Sequence, residues 1–98
     1  MCGIAGFLDH SRALGGRDME SITKSMVETL RHRGPNHQGI WVDEGCGLAL
    51  GHQRLSIIDL SEAGNQPMIS RNERYVMSYN GEIYNASEIG NELEKAGI

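Results

Sequence analysis

The sequence predicts an α+β fold, and three observations support it. Short apolar runs typical of strands fall within residues 2–8, 40–60 and 74–79. Apolar residues recur at helical spacing in two other segments, residues 18–30 and 85–97. Hydrophobic residues make up 39% of the 98 residues, which is typical of a folded domain and not of a disordered chain. Strands and helices in this order predict a layered domain.

The first strand and the first helix have clear signals. Cys2–Leu8 is predicted to be a strand buried on both faces, because its apolar residues do not alternate with polar ones. A polar loop, Asp9–Arg17, follows, and Asp18 is the predicted N-cap of a helix. Arg31–Arg33 suit the C-terminus of that helix, and Gly34-Pro35 ends it. The apolar face of the helix consists of Met19, Ile22, Met26, Val27 and Leu30.

A hairpin is predicted next. Its strands contain Ile40–Val42 and Leu48–Leu50, on either side of a polar turn, Asp43–Gly47. A third apolar run covers Leu55–Leu60. Arg74–Tyr79 alternates apolar and polar residues, as a half-buried strand does.

The remaining segments read as loops and a second helix. Ser61–Glu73 is a predicted loop, and Asn80-Gly81 is a common turn pair. Asn85–Glu88 has the form of a capping box, and the helix that it opens closes at Gly97. The chain stops after this cap without a closing strand, which predicts one part of a larger domain.

Composition excludes several classes of protein. The formal charge of −4 and the pI of about 5.5 argue against a nucleic-acid-binding surface. No apolar run has the length of a membrane span, and no signal peptide precedes the first strand, so a cytoplasmic protein without membrane contact is predicted. Two cysteines are too few for a disulfide framework, and they form no C-x-x-C pair of a redox protein. The four histidines lack the spacing of metal ligands, so no metal site is predicted.

Cys2 is the residue that most suggests chemistry. Removal of Met1 would give one residue both a thiol and a free α-amine. A thiol is mostly protonated at neutral pH, and an α-amine can accept its proton, so this residue would supply nucleophile and base together. The alternative is that Cys2 is a small buried apolar residue. Cys46, in the hairpin turn, has no predicted role.

Five segments of the chain resemble one enzyme family. Together they are similar to the class II, N-terminal-nucleophile glutamine amidotransferases, and specifically to their asparagine-synthetase branch. The segments follow the order of the family and cover nearly the whole chain: MCGIAGFLD at the start, RHRGPNHQGIW (31–41), GHQRLSIIDLS (51–61), GNQP (64–67) and YNGEIYN (79–85).

The resemblance implies a glutamine site. Cys2 would be the nucleophile, and Arg54 would bind the α-carboxylate of glutamine, which suits a planar guanidinium with two parallel donors. Ile57 and Ile58 would line the pocket partly through backbone groups. Without the family, Arg54 would be a surface or structural arginine and the two isoleucines would be strand core.

The resemblance also implies an oxyanion hole. Asn80 would contribute its side-chain amide and Gly81 its backbone N–H, and Glu82 would bind the ammonium of glutamine. Without the family, these residues would be a turn followed by an exposed carboxylate.

The fold that the resemblance implies is the first part of a four-layer αββα N-terminal-nucleophile glutaminase domain, spanning residues 1–98. The parent protein would deliver ammonia to a C-terminal synthetase domain that uses ATP and magnesium, with aspartate as acceptor. One alternative is the same glutaminase chemistry with another carboxylate acceptor, such as a polysaccharide sugar acid. The other alternative is a structural module without catalytic activity. A homodimer is one assembly that the sequence leaves open. We expect these 98 residues alone to lack activity.

Overall fold

A computed structural model describes residues 2–56 and 61–98. A three-stranded antiparallel sheet forms its centre, in the order β1-β3-β2. Its strands are β1 (Gly3–Leu8), β2 (His37–Asp43) and β3 (Leu48–Arg54). The hairpin of β2 and β3 was predicted, but both strands are longer than the apolar runs that indicated them. The α+β prediction is confirmed.

Helix α1 (Gly16–Glu28) packs across one face of this sheet. Gly51 of β3 permits the close approach, because a Cβ atom there would overlap the side chain of Val27. The fully buried apolar side chains of the described residues are Met19, Val27 and Ala49, at this contact. The core is therefore thin and lies between α1 and the central strand.

The ends of α1 differ from the prediction. Gly15 is the N-cap, and Asp18 lies in the first turn, where a carboxylate is favoured by the helix dipole. The helix ends at Glu28, and Arg31–Arg33 form a separate 3-10 turn before Gly34. The basic residues therefore do not extend the helix.

The prediction that β1 is buried on both faces is wrong. Ile4 and Leu8 are 51% and 53% exposed, whereas Gly3 lies against Leu30 on the other face. The physical reason is that β1 is an edge strand with α1 on one side only. Apolar residues without polar alternation are compatible with such a strand, and the pattern alone does not say which layers cover it.

The second half of the chain is less regular than predicted. The predicted loop after residue 61 contains a 3-10 turn, Glu62–Gly64, and a short strand, β4 (Met68–Ile69). β4 pairs with β5 (Val76–Met77), which is shorter than the predicted strand at 74–79. Leu55 and Ser56 are not in a strand, and the rest of that predicted apolar run lies outside the described residues.

Helix α2 (Ala86–Lys95) was predicted, but its capping box was not correct. Asn85 occupies the N-cap position without a side-chain capping hydrogen bond. Gly97 ends the helix with a φ of 79°, as predicted. No residue of α2 is buried. No helix among the described residues is long and apolar enough to cross a membrane.

Candidate active site

The sheet places Cys2 beside the end of β3. Gly3 is paired with Gln53, so Cys2 and Arg54 occupy adjacent positions at one end of the two strands. The backbone N–H of Leu55 donates a hydrogen bond to Cys2 Sγ at 3.3 Å, and the Leu55 carbonyl lies 3.7 Å from the same sulfur. The Cys2 side chain is half-buried. The backbone of Leu55 therefore contacts the sulfur through both its N–H and its carbonyl.

The segment after α1 supports Cys2 from the other side. Arg33 Nε donates to the Cys2 carbonyl at 3.0 Å. Gln53 Nε2 donates to the Gly34 carbonyl. The interpretation of Arg33 as a cation at the end of α1 is therefore wrong. Arg33 lies beyond the helix, and its side chain binds the backbone of Cys2.

Gly34 and Asn36 fix the end of β3. A Cβ atom at Gly34 would overlap the backbone that joins Arg54 to Leu55, so this contact requires glycine. The Asn36 backbone N–H donates to the Arg54 carbonyl, and Asn36 Oδ1 accepts from the Ser56 N–H, both at 3.0 Å. The backbone that bears the Leu55 donor is thereby held on two sides.

The Arg54 side chain is almost fully buried, with 7% exposure. Its Nη1 donates to the Ser61 carbonyl at 2.6 Å and to Asn65 Oδ1 at 2.7 Å. Gly64 lies directly against the guanidinium, where a Cβ would overlap Nη2. Burial of a charge is tolerated because these acceptors replace water.

A pocket of about 440 Å³ opens at Arg54, which is within the range of small-molecule sites. Its wall includes Asn36 and His37 on the β2 side and Glu62 and Asn65 on the loop side. Cys2 is at the same end of the sheet but does not line this pocket. The predicted nucleophile, Cys2, and the predicted carboxylate-binding residue, Arg54, are thus adjacent in the sheet, but only Arg54 lines the pocket.

Asn80, Gly81 and Glu82 are exposed. In the described part of the chain their side chains and Cys2 form no hydrogen bond with one another. Tyr79, immediately before them, is attached to the sheet, and its ring lies against Gly81, where a Cβ would be 2.7 Å from the Tyr79 hydroxyl. The structure therefore fixes the start of this segment and leaves its predicted functional groups open to solvent.

His52 is a buried site residue that the sequence analysis did not identify. Its side chain is fully buried, and Nε2 lies 3.0 Å from the Tyr79 carbonyl. Because a carbonyl only accepts, Nε2 carries the proton. Burial lowers the pKa of His52, the hydrogen bond with Tyr79 opposes this, and the nearby His37 and Arg54 add to the lowering. His52 is therefore favoured as the neutral imidazole.

Ile57 and Ile58 lie outside the described residues. Cys46 is exposed in the turn between β2 and β3, close to Asp43. Over residues 2–56 and 61–98, no group of three histidine, cysteine, aspartate or glutamate side chains could hold a metal ion.

The burial of His52 and its neighbours in β3 had a weak signal in the sequence. The polar stretch at 51–54 lies between two apolar runs, which is compatible with a loop or with a strand whose polar side chains are buried and bonded. The structure shows the second: all four residues are in β3 and buried. Arg33 and Asn36 gave no such signal, because their partners are distant in the sequence.

The chain is similar to known proteins over nearly its whole length. A family model described as a glutamine amidotransferase domain matches residues 1–98. The chain is 41% identical over 97 residues to glutamine-hydrolysing asparagine synthetase 1 of Bacillus subtilis, covering 99% of this chain and 15% of that protein. It is 39% identical over 88 residues to glutamine-hydrolysing asparagine synthetase B of Escherichia coli, covering 87% of this chain and 14% of that protein.

A third relative has a different name. The amidase chry2 of Gibberella zeae is 38% identical over 91 residues, covering 86% of this chain and 14% of that protein. The chain thus spans about 15% of the length of the first relative and a similar share of the other two. No solved structure matches it. On the family match over its whole length, this chain belongs to the glutamine amidotransferase domain family.

Proposed function

We propose that this chain is the N-terminal part of a glutaminase domain that releases ammonia from the side-chain amide of glutamine, with Cys2 as nucleophile. The observation that best supports the proposal is the position of Cys2 beside Arg54, with a backbone donor on the sulfur. A nucleophile next to a buried cation suits a substrate that has both a reactive amide and a carboxylate.

The proposed reaction begins with the free α-amine of Cys2, which takes the thiol proton once Met1 has been removed. The sulfur attacks the amide carbonyl, and Asn80 and Gly81 donate hydrogen bonds to the oxygen as it becomes negative. The C–N bond then breaks, and the amine returns the proton so that ammonia leaves. Water hydrolyses the resulting γ-glutamyl thioester to glutamate and restores the thiol.

The bound glutamine would be held at its other end. Arg54 would bind the α-carboxylate, and its present acceptors, Ser61 and Asn65, fix the guanidinium plane for that contact. Ile57 and Ile58 would line the pocket, and Glu82 would bind the ammonium group. The matching of each charge on glutamine by an opposite charge gives selectivity for an amino acid over a simple amide.

The proposal extends to the parent protein. The N-terminal part would belong to a four-layer αββα N-terminal-nucleophile fold in a cytoplasmic protein. Ammonia would pass to a synthetase part that uses ATP and magnesium, and aspartate is the proposed acceptor. A different acceptor is a second candidate, because one relative of similar identity is named an amidase and not an asparagine synthetase.

Two measurements on the full-length protein test the nucleophile. Incubation with a glutamine-like diazo-ketone should give a protein that lacks Met1 and has one adduct at Cys2, seen by intact mass and peptide mapping. Cys2→Ala should abolish glutamine-dependent product formation and leave ammonia-dependent formation unchanged, because ammonia bypasses the thioester.

Cys46→Ser is the matched control, since Cys46 is exposed and lies in a turn away from Cys2. This variant should retain both the adduct and the glutamine-dependent activity. Retained use of glutamine by Cys2→Ala would refute the nucleophile. Unlabelled, unprocessed protein that still uses ammonia would favour a catalytically silent module.

A further inference from the structure

The backbone of Tyr79 is held on both sides by side chains from the sheet region. His52 Nε2 donates to its carbonyl at 3.0 Å, and its N–H donates to Gln66 Oε1 at 2.5 Å. Ser78, one residue earlier, donates through Oγ to the Gly51 carbonyl at 3.1 Å. These three bonds attach residues 78–79 to β3 and to the loop beside it.

The carbonyl that His52 binds belongs to the peptide group that leads directly into Asn80. This peptide group is rigid, so a rotation of it would turn the Asn80 N–H and move the Asn80 Cα, which bears the side chain. The ring of Tyr79 lies against Gly81, so Gly81 has a second contact with the residue that His52 and Gln66 hold.

His52 and Cys2 are on the same face of the sheet. His52 is paired with Ile4, and Cys2 lies two residues before Ile4, so strand alternation directs both side chains to one side. His52 is fully buried, and its Nδ1 has no partner among the described residues. A buried imidazole that makes a single directed bond is suited to fixing one backbone position.

We propose that His52 and Gln66 are positioning residues that hold the Asn80-Gly81 pair at the distance from Cys2 that oxyanion stabilisation requires. The proposal rests on the glutaminase function proposed above. Neither side chain touches the substrate, and both act through the Tyr79 peptide groups. Errors of about 1 Å in such groups can cost roughly 100-fold in rate.

The test uses the full-length protein with two pairs of variants. His52→Leu removes the donor, whereas His52→Gln retains an N–H in a similar position. Gln66→Leu removes the acceptor, whereas Gln66→Glu retains an oxygen acceptor. For each variant, kcat and KM of glutamine hydrolysis are measured together with ammonia-dependent synthesis and the rate of Cys2 alkylation by iodoacetamide.

We expect both leucine variants to lower kcat for glutamine about 10- to 100-fold, since oxyanion donors act in the transition state, with KM changed less than about threefold. Ammonia-dependent synthesis and alkylation should stay at the wild-type level, because neither needs an oxyanion hole. His52→Gln and Gln66→Glu should recover most of the lost kcat.

The outcomes separate this proposal from the function on which it rests. A wild-type protein without glutamine turnover refutes the proposed function. Normal kcat in both leucine variants, or equal losses of kcat in the leucine and the conservative variants, refutes the positioning role alone. If His52→Leu does not fold, the Gln66 pair decides, because Gln66 lies in a partly exposed loop.

Discussion

At the scale of single residues, the ionisation of His52 is tied to folding through its burial. Protonation would place a second N–H, on Nδ1, in a buried position that has no acceptor among the described residues. Burial accordingly lowers the pKa of His52 below its ordinary 6.5. The ionisable groups that act on it are His37 on β2 and Arg54 on β3, and both lower the pKa of His52 further.

This lowering gives a prediction for stability against pH. The unfolded chain takes up the proton near pH 6.5, and the folded chain does so only at lower pH. The contribution of neutral His52 is therefore complete above pH 6.5 and is lost as the pH falls toward the folded-state pKa. The slope is at most about 1.4 kcal/mol per pH unit for one proton.

His52→Gln should remove this component, so the difference in free energy of unfolding between wild type and variant should shrink between pH 7 and 5. Urea unfolding of the full-length protein at several pH values measures it. Asp9 and Glu28, whose pKa values are lowered by hydrogen bonds from Ser11 and Gln38, titrate below this range. Parallel curves for wild type and variant would contradict the assignment.

At the scale of elements, the contact of α1 with β3 depends on a missing side chain. Gly51→Ala should destabilise the protein by about 1–3 kcal/mol, because the new methyl group overlaps Val27 and approaches Thr23. Both side chains are β-branched, and a helix restricts the rotamers to which they could move. The free energy of unfolding from denaturant titration measures this effect.

Gly90→Ala in α2 is the matched control. It adds the same methyl group within a helix, with nothing within 4 Å of the new Cβ, so it should raise stability by about 0.5–1 kcal/mol. Equal effects of the two substitutions would show that α1 does not pack on Gly51 as described.

The elements also show how far the sequence could predict this fold. The hairpin and the two helices were recognisable, because periodicity and turn residues are local signals. The C-terminal end of β3 was not recognised, because His52, Gln53 and Arg54 are polar. They are buried by contacts with residues distant in the sequence, such as Tyr79 for His52. The same is true of Arg33, whose partner, Cys2, is 31 residues away.

The candidate site, like the fold, was predictable only in part. The resemblance identified Cys2 and Arg54, and the sheet register places them side by side. Three residues that fix the backbone nearby, Gly34 and Asn36 at the end of β3 and His52 at Tyr79, were absent from the predicted site, since their contacts are with backbone and not with a substrate. Tertiary contacts of this kind leave no periodic pattern in one sequence.

At the scale of the whole molecule, much apolar surface is exposed. Large apolar side chains at 38% exposure or more occur on β1, on β4 and β5, and along α2, among them Leu8, Ile69, Met77 and Leu93. Tyr84, in the loop before α2, is 96% exposed. Within residues 2–56 and 61–98, the fully buried apolar side chains come from one contact, between α1 and β3. Exposed apolar area on this scale marks surfaces that pack against further protein.

The last prediction concerns these 98 residues expressed alone. We expect no measurable glutaminase activity, because the Asn80-Gly81 segment is exposed and the hydrogen bonds that attach it to the sheet, as far as the described residues show, come from residues 78–79. We also expect self-association or a broad unfolding transition, because the thin core must offset the exposure of α2 and β1. Sedimentation, urea unfolding and an ammonia-release assay measure these properties, with the full-length protein as the reference. A monomeric, cooperatively folding chain with turnover comparable to that of the full-length protein would contradict the prediction, and would mean that the glutamine site is already complete within these residues.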